Sequence, residues 1–66
     1  MDMIRVSSSA IRAIGYDAVT RRMKIAFTEG HIYDFCGVPE SIFKGLLHAG
    51  SKGRYYHNYI RDRYQC

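Results

Sequence analysis

Long apolar runs are missing from this sequence, and their absence excludes the simplest membrane role. The longest uninterrupted apolar stretches are a few residues, against about 20 needed for a helix to cross a bilayer. No secretory pattern of a charged, an apolar and a small-residue segment opens the chain, so a soluble, cytoplasmic protein without a membrane partner is expected. Cysteine is scarce: Cys36 and Cys66 are the only two, and neither belongs to a Cys-x-x-Cys pair. Reduced thiols in an intracellular protein are the expectation, although two cysteines can pair and their spacing does not decide it. Repeats are absent, and Ser7 to Ser9 is a short polar run rather than low complexity. A chain of 66 residues has room for one domain, spanning 1–66. Its stability margin is thin, so a staple, a partner or self-association would matter, and no staple is obvious.

Acid is nearly absent from the C-terminal third. Residues 1–43 balance Arg5, Arg12, Arg21, Arg22 and Lys24 against Asp2, Asp17, Glu29, Asp34 and Glu40. Residues 44–66 carry Lys44, Lys52, Arg54, Arg61 and Arg63 against Asp62 alone, so the whole net charge of +4 sits there.

Ala10 to Tyr16 lacks helical periodicity and runs into Asp17, a good first residue of a turn, which predicts a short strand. In 22–28, Met23, Ile25 and Phe27 alternate with Lys24, Ala26 and Thr28, the pattern of a half-buried strand. His31 to Cys36 reads as its return. A two-residue Glu29-Gly30 turn would need positive φ at a glutamate, whereas a three-residue loop needs it only at Gly30. The second, preferred register pairs Ile25 with Tyr33 and Met23 with Phe35, placing both aromatics on the core face. The first would put them on the wet face, where strand aromatics can stack bases.

Val38-Pro39 announces a helix, with Glu40 at its positive end. Ile42, Phe43, Leu46 and Leu47 form its apolar stripe, and Gly50 ends it. Ser51 is the expected N-cap of a second helix running to about Tyr64. On that helix Tyr55, Tyr56, Tyr59, Ile60 and Tyr64 share one half of the wheel, while Arg54, His57, Asn58 and Arg61 form a polar stripe at i, i+3, i+4 and i+7. Three strands followed by two helices define an α+β domain, a small antiparallel meander covered on one face by the helices. The other face, with Lys24, Ala26, Thr28, Ile32 and Asp34, is expected to be open.

Dedicated chemistry is hard to find. His31 and Cys36 are five apart on one strand and point to opposite faces, and His48 and His57 lie on separate helices without a ligand at i+4, so no metal or other cofactor is expected. Ser41, Ser51, Cys36 and Cys66 are the available nucleophiles, and none has a recognisable base beside it, so no enzymatic activity is expected. Ser51-Lys52-Gly53-Arg54 offers backbone donors, a helix dipole and two cations to a phosphate. It lacks the glycine-rich approach of a Walker loop, and a plain N-cap with solvated bases is an equal reading.

One ordered set of signals resembles a known family. Ser8-Ser9, Ile14-Gly15-Tyr16-Asp17, Phe27 with Gly30, Tyr33-x-aromatic, Val38-Pro39, Ala49-x-Ser51-Lys52-Gly53, Tyr55-Tyr56 and Ile60 to Tyr64 are similar to the KTSC domain. That domain is found at the C-terminus of some lysyl-tRNA synthetases and as free-standing bacterial and phage proteins. The resemblance implies RNA binding and supplies no catalytic residues. The family's central Tyr-x-Tyr is matched by Tyr33 but carries Phe35 at the second position. The leading expectation is a nucleic-acid-binding module, RNA ahead of DNA, built on Lys52, Gly53, Arg54, Tyr55, His57, Asn58, Arg61 and Tyr33. The alternative is a small interaction or regulatory module, of phage type, that docks on an acidic protein surface. Homodimerisation fits either.

Overall fold

A computed structural model describes all residues, 1–66. Four strands, β1 (Met3–Arg5), β2 (Ile11–Asp17), β3 (Arg22–Phe27) and β4 (Ile32–Phe35), precede helices α1 (Glu40–His48) and α2 (Lys52–Tyr59). The strands form an antiparallel meander in the order β1-β2-β3-β4. The α+β class is as expected, but the sheet has one strand more. β1 is only three residues long and exists because it pairs with the edge of β2, Met3 opposite Gly15 and Arg5 opposite Ala13. A bulge between Ile11 and Ala13 shifts the side-chain alternation of β2. It brings Ile11 and Ile14 to the same face, and both are fully buried.

The β3–β4 hairpin takes the preferred register. Met23 lies opposite Phe35 and Ile25 opposite Tyr33. Phe27 N–H donates to the His31 carbonyl at 2.9 Å, and within the loop only Gly30 has positive φ, at 112°. Phe35 enters the core as expected. Tyr33 does not: it is 46% exposed. β4 is an edge strand, so the ring, held between contacts to Phe27 and His31 with centroids 5.5 and 5.9 Å away, stays partly open to solvent.

The core joins Ile11, Ile14, Met23, Ile25 and Phe35 from the sheet to Val38, Leu46 and Ile60. Phe43 of α1 stacks on Tyr16 at 4.7 Å, and the Tyr16 hydroxyl donates to the Val38 carbonyl at 2.6 Å, fixing where the chain enters α1. On the opposite sheet face Gly15 is required by close approach. A Cβ there would lie 2.6 Å from the Met3 sulfur.

Two expectations about the tail are corrected. α2 stops at Tyr59 rather than near Tyr64. Ile60 N–H and Arg61 N–H both converge on the Tyr56 carbonyl, at 3.0 and 2.9 Å, and Asp62 then takes a φ of 62° that turns the chain back. The return brings the Tyr64 carbonyl to the N–H of Cys36 at 2.8 Å. Cys36 and Cys66, expected as free thiols, are joined in a disulfide, and no free cysteine remains. The thin stability margin is thus met by a staple after all.

Candidate functional site

Ser51 starts α2: its side-chain oxygen accepts from the N–H of Arg54 at 3.4 Å. The helix and the turn that follows it distribute four tyrosine rings unequally, three on α2 and Tyr64 beyond its end. Tyr56 turns inward and meets Phe27 and Phe35 edge-on, at 5.0 and 6.0 Å. Tyr55 lies across Gly45 of α1, where an added Cβ would fall 2.7 Å from Cζ of the ring. Burial raises the pKa of both phenols, so both are neutral donors at ordinary pH. Tyr64 is partly buried against the core. Tyr59 is left out of the interior, 51% exposed, with its ring 4.7 Å from Tyr55. Sequence reasoning assigned Tyr59 to the packing half of the wheel. The available signal was its position, one turn beyond Tyr55 and at the margin of the Arg54–Asn58 stripe.

Arg54, Tyr55, Asn58 and Tyr59, together with Ala49, Gly50 and Ser51, line one shallow, open groove of about 290 Å³. Arg54 is exposed and has no carboxylate partner, unlike Lys44, which pairs with Glu40, and Arg61, which lies 3.8 Å from Asp62. A second depression of about 170 Å³ adjoins the first through Gly50 and Ser51. It is lined by Ser7, Ser8, Ser9, Gly50, Ser51, Lys52 and Gly53, with no apolar residue. The expected residues Arg54, Tyr55, Asn58, Lys52 and Gly53 therefore do come together, on a continuous surface at the start and outer side of α2.

Their individual roles differ from expectation. Lys52 is partly buried, and its ammonium donates to the Ala49 carbonyl at 3.2 Å, so it serves the C-terminal end of α1 as well as facing the polar depression. Gly53 lets α2 approach the β1–β2 loop, since a Cβ there would sit 3.1 Å from that of Ala10. Ser8 is committed in part to its own turn, accepting from the N–H groups of Ala10 and Ile11. His57 remains on the exposed stripe and reaches Arg61 at 3.4 Å. Arg61 and Tyr33 belong to a different hollow, with Phe27, Glu29, Tyr56 and Asp62. No three His, Cys, Asp or Glu side chains gather in a way that could hold a metal ion.

These features, a four-stranded meander roofed by two short helices with a serine-capped, tyrosine-rich second helix, define a small α+β domain class. The KTSC domain profile matches residues 7–64, and the chain belongs to that family. It is similar to the KTSC domain protein of Yersinia pestis, whose crystal structure superposes with a TM-score of 0.94 at 38% identity, covering 98% of this chain and 92% of the other. A protein of Tsukamurella paurometabola is 38% identical over 61 residues, 92% of this chain and 91% of its own length. A lysine–tRNA ligase of Nostoc sp. is 30% identical over 63 residues. That match takes 96% of this chain but only 11% of the ligase.

Proposed function

We propose that this domain is a non-catalytic RNA-binding module that holds single-stranded RNA along α2, with RNA preferred to DNA. Tyr59 stacks on a base, Arg54 neutralises the adjoining phosphate, and the Ser7–Ser9/Ser51–Gly53 depression offers hydroxyl and backbone donors to the next one. One observation carries the reading: an exposed ring and an unpaired guanidinium share a groove that runs into a wholly polar depression at a helix start. The excess of positive charge in residues 44–66 supplies long-range attraction. The occurrence of a related segment within lysine–tRNA ligases is consistent with an RNA setting.

Fluorescence anisotropy with a labelled oligouridine tests the proposal. For about three to four phosphate contacts, log affinity falls with log salt at a slope of about −2 to −3. Arg54→Ala reduces that slope by about 0.7, and Tyr59→Ala lowers affinity by about tenfold at every salt concentration. Absence of binding at tens of micromolar protein in low salt ends the proposal.

A second reading, attachment to a protein partner, is favoured by the β4 edge, where Ile32 and Tyr33 are exposed beside unpaired strand backbone. A partner retained in a pull-down after nuclease treatment supports it. Loss of every partner on that treatment removes it.

A further inference from the structure

The hollow formed by Phe27, Glu29, Tyr33, Tyr56, Arg61 and Asp62 lies apart from the α2 groove and shares no residue with it. Its volume is about 340 Å³. Three rings form its apolar part: Tyr33 and Tyr56 both stand edge-on to Phe27, and Tyr33, which His31 stacks on at 5.9 Å, is 46% exposed. Two carboxylates and one guanidinium supply its charge, a combination unlike the surface around Arg54.

Neither carboxylate is consumed by its neighbour. Glu29 contacts His31 through one oxygen, Oε1, at 3.1 Å. Asp62 lies 3.8 Å from Arg61 Nε, beyond hydrogen-bond length, so its oxygens retain their acceptor capacity. An ionised carboxylate accepts and cannot donate. A base that stacks here is therefore selected for an edge made of N–H donors. Guanine presents two adjacent donors, the N1 imino and the N2 amino groups, which a carboxylate takes bidentately. Adenine and cytosine place a ring acceptor beside their amine, and uracil flanks its imino group with carbonyls. Phosphates are repelled from the carboxylates themselves but accepted by Arg61.

We infer that this hollow is a guanine-selective subsite for single-stranded RNA, in which Tyr33 stacks on the base, Glu29 or Asp62 takes its donor edge, and Arg61 holds the flanking phosphate. The inference rests on the RNA-binding reading and adds the base that the domain prefers.

The test compares two labelled RNAs of about eight nucleotides, all uridine and the same strand with one central guanosine. Wild type binds the guanosine strand about tenfold tighter. Glu29→Gln and Asp62→Asn are chosen because both residues are exposed and asparagine tolerates the positive φ at position 62. At least one of them abolishes the preference while leaving oligouridine binding intact, with an unchanged melting temperature as the check on folding. Equal affinity of wild type for the two strands overturns the base assignment and leaves the RNA-binding reading standing. A preference that survives in both variants also overturns it, as does equal tightening of both strands by the variants, because the carboxylates then act only by repulsion. Binding to neither strand overturns both readings.

Discussion

Tyr55 and Tyr59 differ by one helical turn, yet one ring is sheltered and the other wet, and the cause is a missing side chain on another element. Gly45 leaves space on α1 into which the Tyr55 ring lies. Helix propensity alone would make Gly45→Ala stabilising by about 1 kcal/mol. Overpacking costs about 1–3 kcal/mol and acts against a rigid ring, so the substitution is expected to be net destabilising. Urea unfolding reads the sign, and in a Tyr55→Ala background the same change becomes stabilising, because the ring is gone. At this scale the sequence was informative about residue type and poor about exposure. The alternation of 22–28 placed Met23 and Ile25 correctly, and the preferred hairpin register placed Phe35. It could not place Tyr33, since burial of that ring depends on whether another strand lies beyond β4, and none does. Tyr59 was hidden for the converse reason: a half-wheel of apolar positions is wider than the surface available to cover it.

The two helices were readable because their ends carry chemical signals. Pro39 and Ser51 stand at the N-caps of α1 and α2. Ser51→Ala removes the acceptor for the Arg54 N–H and is expected to cost about 1 kcal/mol, measurable as a lower urea midpoint with an unchanged slope. The same variant reshapes the junction between groove and polar depression, so RNA affinity falls with it. The other end of α2 had no such signal. Periodicity continues through Ile60 and Tyr64, but the double convergence on the Tyr56 carbonyl and the turn at Asp62 are set by the need to return to Cys36. β1 escaped detection for a different reason: three residues contain too little alternation to register. Its existence is a pairing decision made by the edge of β2. Of the candidate surface, the groove along Arg54 and Asn58 followed from helical spacing. The contribution of Ser7–Ser9 required the fold, because only the approach of Gly53 to Ala10 brings that loop to α2.

For the molecule as a whole, the disulfide changes the stability argument most. Closing a loop between residues 30 apart lowers the entropy of the unfolded chain, a stabilisation of about 3–4 kcal/mol in the chain-entropy account. Cys36→Ser/Cys66→Ser, or reduction of the wild type, is therefore expected to lower the melting temperature by about 10–30 °C, measured by circular dichroism with and without reductant. Identical melting under both conditions would show that the bond contributes nothing to stability. The expectation of reduced cysteines rested on compartment statistics, and spacing could not correct it, because the turn after Ile60 that brings the C-terminus back to β4 is absent from any local pattern. The intracellular expectation loses the support it drew from free thiols.

The cross-link has a topological corollary. Both helices and the exposed link at Gly50 fall inside the covalent ring that it closes. A protease that nicks the backbone there severs one peptide bond and releases nothing, leaving two fragments tethered as one species until a thiol reagent parts them.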